Sequence, residues 1–159
     1  MNIRSAIIEG TRLLKDKSIN SAKLDSEILL ASAIEQDREY LILNNDQNIK
    51  EENLRYYQKL ITKRSFREPI AYLTNKKNFW NYKFLVTKDT LIPRPDTEVI
   101  VEQILKITKF KTKMKILDIG VGSGCILLTI LKERKNFYGV GVDISKKCLN
   151  ISKINAKNL

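Results

Sequence analysis

The seven residues Asp118-Ile119-Gly120-Val121-Gly122-Ser123-Gly124 combine an acid at the end of an apolar run with glycines at every second position. Glycine lets a backbone turn tightly out of a strand and approach a ligand where a Cβ would clash, so this stretch has the makings of a cofactor turn. Its spacing is G-x-G-x-G. A dinucleotide fingerprint has its third glycine three residues after the second, a place that Cys125 holds here, and a phosphate-cradling NTPase loop needs Gly-Lys-Ser/Thr, which is missing. Both NAD and ATP are therefore disfavoured. A second acid, Asp143, ends the apolar run Phe137 to Val142. Its distance from Asp118 is near the ~20-residue offset at which βαβ nucleotide sites set a carboxylate against a ribose. S-adenosylmethionine has a ribose and a sulfonium cation but no phosphate, so an acidic mouth meets no anion repulsion from it. A plain strand-to-helix turn would account for the glycines, but not for acids at both strand ends.

Elements must hold these residues in place. Lys115 to Ile119 is a short β-type run, 125–133 a helix, Phe137 to Val142 a second buried strand, and Lys146 to Asn158 a helix with Leu149, Ile151 and Ile154 as its apolar positions. Strand, helix, strand, helix in succession predicts a βαβ unit of a parallel, doubly wound sheet. Upstream, Phe79-Trp80 and Phe84-Leu85-Val86 flank the turn-like Asn81-Tyr82 and predict a hairpin. Pro93 and Pro95 hold Ile92 to Pro95 extended, after which Asp96 or Thr97 caps a helix bearing Val99, Ile100, Ile104 and Ile107.

Residues 1 to about 70 carry a different pattern. Ile3, Ile7 and Leu14 form the stripe of an amphipathic helix, and Leu24, Ile28, Ala31 and Ile34 that of a second. Asp37 caps a short third helix through Leu43, and a fourth from about Glu51 to Arg67 carries Leu54, Tyr57, Leu60 and Ile61 before Pro69. The expected organisation is a helical domain over 1–70, a hairpin linker over 71–95, and a domain over 96–159 holding the first βαβα part of a Rossmann-like α/β sheet.

Composition narrows the chemistry. Histidine is absent, which removes Ser-His-Asp and Cys-His catalysis and any imidazole metal site. Cys125 and Cys148 lack metal-type spacing and read as free thiols. No metal is expected. The formal charge of +11 would ordinarily point to polyanions, but the lysines are spread along the chain. Their one cluster, Lys109, Lys111, Lys113 and Lys115, reads as a solvated connection. Met1 to Gly10 lacks the apolar run of a signal peptide, and no segment approaches the ~18 apolar residues that span a bilayer. A cytoplasmic protein is the expectation.

The segments Ile92-Pro93-Arg94-Pro95-Asp96-Thr97-Glu98 and Ile116 to Gly124 together resemble the HemK-type peptide chain release factor glutamine methyltransferases. Arg64, Glu68 to Leu73, Phe79-Trp80, Asp143-Ile144-Ser145 and Asn155-Ala156 extend the resemblance over essentially the whole chain. It implies methyl transfer from S-adenosylmethionine to the side-chain amide of the glutamine in a release factor's Gly-Gly-Gln loop. It also implies that Gly120, Val121, Gly122, Ser123 and Gly124 line the cofactor and that Asp143 binds its ribose hydroxyls. Arg94, Pro95, Asp96 and Glu98 would border the site, with Asp118 close by, and the 1–70 domain would recognise the substrate.

Two features depart from the family. Asn75 stands where Gly is usual, and the family's Asn-Pro-Pro-Tyr segment, which holds the target amide, is not in the chain. The expectation is an N-terminal fragment with no catalytic residue of its own, lacking the C-terminal half of the methyltransferase domain. The competing expectations are a nucleic-acid adenine amino-methyltransferase, against which the Pro-Arg-Pro-Asp-Thr-Glu segment argues, and a non-catalytic remnant or cofactor-binding module. Nucleic acid is not the expected direct substrate.

Overall fold

A computed structural model describes all 159 residues, which divide into two compact units, Met1–Thr74 and Asn75–Leu159. The first is wholly helical: α1 (Ile3–Asp16), α2 (Ala22–Ala33), α3 (Arg38–Leu43), α4 (Glu51–Ser65) and α5 (Ile70–Thr74). Side-chain caps start α1 and α3, where Asn2 accepts from the Ser5 N–H and Asp37 from the Tyr40 N–H, each satisfying a donor that the first helical turn leaves free. The core joins Ile3, Ala6 and Leu14 of α1 to Leu29 and Leu30 of α2 and to Tyr57, Leu60 and Ile61 of α4.

Ala31 is buried and Ile34 packs on the core, as the expected α2 stripe has them, but the first turn of the helix differs. Leu24 is 44% exposed, whereas the polar Asp25 and Ser26 are buried beside Leu29, Leu30 and Ala33. Partners on α4 explain the exchange. The Arg64 guanidinium donates to Asp25 Oδ2 at 2.7 Å, and Ser21 Oγ donates to the same oxygen at 2.8 Å. Ser26 Oγ lies 2.6 Å from Tyr57 Oη, and the two hydroxyls also reach the α1 carbonyls of Ile7 and Ala6. Buried polar groups with such partners cost little, and they bind three helices into one body. Space for the phenol comes from Gly10, since a Cβ there would stand 2.0 Å from Tyr57 Oη.

The second unit begins with an antiparallel hairpin, β1 (Lys76–Phe79) and β2 (Tyr82–Leu85). Its turn falls at Trp80-Asn81 rather than Asn81-Tyr82, because Phe79 pairs with Tyr82 in the register and Trp80 takes the left-handed conformation at φ 56°. A 3₁₀ turn over Pro95–Thr97 then leads into α6 (Glu98–Ile107). Neither Asp96 nor Thr97 caps α6 with its side chain. The proline-led turn supplies the entry instead. The apolar face of α6 is also displaced: Val101 is buried and Ile104 and Leu105 pack inward, while Val99, Ile100 and Ile107 face outward.

Strand β3 (Lys115–Ile119), helix α7 (Cys125–Glu133), strand β4 (Tyr138–Val142) and helix α8 (Lys146–Asn158) complete the chain. The two strands pair in parallel, Lys115 with Tyr138 through Ile119 with Val142, as the strand-helix-strand order predicts. One face of the pair, Ile116 and Asp118 with Gly139 and Gly141, lies under α7 and the glycine turn. The bare glycines allow this, since a Cβ on Gly139 would come within 2.7 Å of Leu127 and one on Gly141 within 2.7 Å of Val121. The opposite face, Leu117, Ile119, Tyr138, Val140 and Val142, is exposed. Phe79, Phe84, Val101, Ile130 and Phe137 form the core that joins hairpin, α6 and α7.

Candidate functional site

The turn between β3 and α7 is built by three glycines in left-handed conformations, Gly120 at φ 84°, Gly122 at 55° and Gly124 at 82°. They differ in what a side chain would meet. At Gly124 a Cβ would strike Leu128 at 2.8 Å, so this position serves packing at the start of α7. At Gly120 nothing lies within 4 Å of the Cβ position, and at Gly122 only the Gly120 carbonyl does, at 3.9 Å. These two glycines leave a bare backbone surface on the outer side of the turn.

The turn is tied down from the β4 side. Gly120 and Val121 both donate N–H to the Val142 carbonyl, at 2.8 and 3.0 Å, and Gly124 donates to Val121 O at 2.8 Å. Asp143 is brought directly against the turn. Its Oδ2 accepts from the Gly122 N–H and its Oδ1 from the Ser145 N–H, each at 2.9 Å. These two backbone donors, Ser145 first and Gly122 second, hold the Asp143 carboxyl below the usual carboxylate range, with slight opposition from burial. A carboxylate has about four lone-pair sites, so two backbone bonds leave it able to accept from a ligand hydroxyl.

Asp118 lies on the covered face of β3, behind the turn. Burial raises its pKa, the Leu127 N–H at the start of α7 lowers it, and the nearby Asp143 charge raises it. The two acids anticipated from the strand ends are thus shifted in opposite directions, Asp143 downward by backbone donors and Asp118 upward by burial. Cys125 sits beside it at the first residue of α7, and burial pushes its thiol up.

The Pro-Arg-Pro-Asp-Thr-Glu segment is distributed differently. Arg94, Pro95 and Asp96 are exposed at the entry to α6. Glu98 turns to the hairpin, where Oε1 accepts from the Trp80 N–H at 2.7 Å. Glu133, from the end of α7, takes the Trp80 indole N–H at 3.0 Å and the Tyr82 hydroxyl at 3.1 Å. Two carboxylates therefore fasten the left-handed tip of the hairpin to α6 and α7.

Four contributors were not singled out from the sequence as site residues. Gly139 and Gly141 read as weak points in a strand, although two glycines at alternate positions mark one face as closely approached. Ser145 caps α8, accepting from the Cys148 N–H, and offers its own N–H to Asp143. Asn155 looks like a polar residue at a helix end, yet it is 1% exposed and donates to the Ser123 carbonyl of the turn at 2.8 Å.

Together the two units define an α/β protein in which a helical unit precedes a parallel strand-turn-helix-strand unit. By sequence, residues 5–74 match the PrmC N-terminal domain. The whole chain aligns with proteins named release factor glutamine methyltransferase. That of Buchnera aphidicola from Acyrthosiphon pisum is 37% identical over 159 residues, covering 100% of this chain and 56% of the relative. That of Clostridium acetobutylicum is 38% identical with the same coverage, and that of Caulobacter vibrioides is 35% identical over 92% of this chain and 50% of the relative. The chain is thus similar to proteins named release factor glutamine methyltransferase, and it spans about half the length of the curated relatives it matches. No helix is long and apolar enough to cross a membrane.

Proposed function

We propose that the Gly120–Gly124 turn and Asp143 hold S-adenosylmethionine, and that the chain forms the cofactor-binding and substrate-recognising part of a protein glutamine N-methyltransferase. The single observation that carries the cofactor assignment is the bare surface at Gly120 and Gly122 with the ionised Asp143 carboxylate bonded to the Gly122 N–H. Residues Gly120 to Gly124 would line the methionine and ribose, with Val121 and Ser123 contributing backbone, while Asp143 would take the ribose hydroxyls. Arg94, Pro95 and Asp96 would border the site, and Glu98 and Asp118 would support it from the hairpin and from behind the turn. When bound, the cofactor supplies an electrophilic methyl group. The task left to the protein is to fix the sulfonium in place and keep water away, because an amide nitrogen is a poor nucleophile that reacts only when its lone pair is aimed.

The substrate we propose is the Gly-Gly-Gln glutamine of a peptide chain release factor. The helical residues 1–70 would dock that partner and the hairpin segment 71–95 would link them to 96–159, in the cytoplasm where termination occurs. Support comes from the relatives' names and from the PrmC N-terminal domain match. Titration calorimetry of S-adenosylmethionine into the chain tests the cofactor assignment. Asp143→Ala should weaken binding between about ten- and a hundredfold, the range of one charge-assisted hydrogen bond. Gly122→Val should abolish it. Unchanged affinity in both variants sinks the assignment. Tritiated methyl transfer to a release factor, by this sequence carried in a protein of its relatives' length, tests the substrate.

A further inference from the structure

We infer that Asn155 is a positioning residue that locks the glycine turn to the hairpin, so that the two move as one body. Its importance for a cofactor rests on the proposal that the turn holds S-adenosylmethionine, whereas the mechanical coupling does not. The side chain of Asn155 lies in the last turns of α8 and is almost wholly buried. All three hydrogen bonds of its carboxamide go to backbone. Oδ1 accepts from the Leu85 N–H at 2.8 Å, and Nδ2 donates to the Leu85 carbonyl at 3.0 Å and to the Ser123 carbonyl at 2.8 Å.

The pairing with Leu85 has the form of a strand contact. Leu85 ends β2, and on that edge of the hairpin the next strand's peptide would offer one acceptor and one donor to a single residue. Asn155 supplies both from one carboxamide. The edge is thereby satisfied by a side chain, and the amide's remaining N–H is fixed in direction toward Ser123. Ser123 is itself buried, and its carbonyl belongs to the peptide that leads into the left-handed Gly124 and the start of α7. Holding that carbonyl fixes the peptide plane between Ser123 and Gly124. The Asp143 bond to Gly122 fixes the turn from the opposite side.

No other residue type reproduces this. Aspartate has the same shape, but it presents an acceptor where two carbonyls need a donor, and alanine leaves the Leu85 amide and both carbonyls without partners. Fixation also runs further upstream, because Glu98 and Glu133 clamp the opposite end of the hairpin at Trp80 and Tyr82. Movement of the hairpin is thus transmitted through Asn155 to the bare backbone of the turn.

Amide hydrogen exchange on the 159-residue chain is the test, with Asn155→Asp, Asn155→Ser and, as a control on the exposed end of α8, Asn158→Ala. Asn155→Asp should speed exchange of the Leu85 amide and of Gly120, Gly122 and Gly124 by about tenfold or more, while Ile116 to Asp118 and α6 stay as in the wild type. Asn155→Ser gives the same pattern if the aspartate variant fails to fold, and Asn158→Ala leaves exchange unchanged. A uniform rise across residues 75–159, or no rise at the turn, overturns the inference and leaves Asn155 an ordinary buried residue. S-adenosylmethionine affinity is read in parallel. If the wild type binds none, the cofactor proposal falls while the exchange pattern still decides the coupling. If it binds, Asn155→Asp should weaken it at least about tenfold, and equal affinity with a loosened turn would restrict the role of Asn155 to the coupling alone.

Discussion

Two residues of the helical unit show how burial turns a polar group into a structural commitment. The Asp25 carboxylate is 6% exposed and receives Arg64 and Ser21, while the Arg64 guanidinium, 18% exposed, also donates to the Glu68 carbonyl. Removing one partner of such a pair is far worse than lacking both. Arg64→Leu should therefore lose roughly 3 kcal/mol in urea unfolding, and the added change Asp25→Asn should restore part of it. Tyr57 gives a second expectation. Desolvation is the main influence on its phenol, partly countered by Ser26 and reinforced by Glu9, and its pKa is pushed up to about 12. A folded-state pKa raised above the unfolded value of a tyrosine favours the protonated native form. The stabilising effect is whole below about pH 10 and is lost as pH rises toward 12. Absorbance titration of the phenols should show one that ionises last, and Tyr57→Phe should remove the corresponding part of the alkaline fall in stability.

Among the elements, α1 and α4 approach closely because Gly10 leaves room for the Tyr57 hydroxyl. Gly10→Ala forces the phenol to move and breaks its contacts with Ser26 and Ala6, so a loss of about 2 to 4 kcal/mol is expected. In a double-mutant cycle, Tyr57→Phe should make the alanine easier to accommodate, whereas additive effects would mean that the two positions do not contend for the same space. Elements also show how far sequence alone carries. Strand β3 and helices α7 and α8 were placed with the bounds the structure gives, because glycines and strand-end acids punctuate that stretch. The tight turn and the place of Asp143 beside it were legible for the same reason: glycines mark the left-handed backbone at 120, 122 and 124, and the acid marks the end of β4. The polar part of the buried α2 face was not, since Asp25 and Ser26 count as polar until their α4 partners, 39 and 31 residues away, are known. The outward face of α6 carries Val99 and Ile100, so hydrophobicity pointed to the wrong side. Asn155 eluded the pattern altogether, because a carboxamide that imitates a strand cannot be recognised before the strand's edge is located.

On the scale of the molecule, the most conspicuous surface is the uncovered face of the parallel pair, with Leu117 at 60%, Ile119 at 79% and Tyr138 at 63% exposed. Contiguous apolar surface of this kind recruits other chains or hydrophobic probes. The 159-residue chain should bind anilinonaphthalene sulfonate while retaining its helical circular dichroism, and sedimentation should show association that grows with concentration. Leu117→Glu with Val140→Lys should reduce both, whereas a wild type that stays monomeric and dark with the dye would show that this face is protected in solution. The division at Thr74 and Asn75 carries a further consequence, for the order in which the chain is made. All partners in the helical core lie within Met1–Thr74, which leaves the ribosome before the second unit, so the helical unit can close while the remainder is still being synthesised. The second unit has no such freedom. Its hairpin edge at Leu85 waits for Asn155, seventy residues later, and so the clasp that steadies the turn is set only when translation has reached the end of α8.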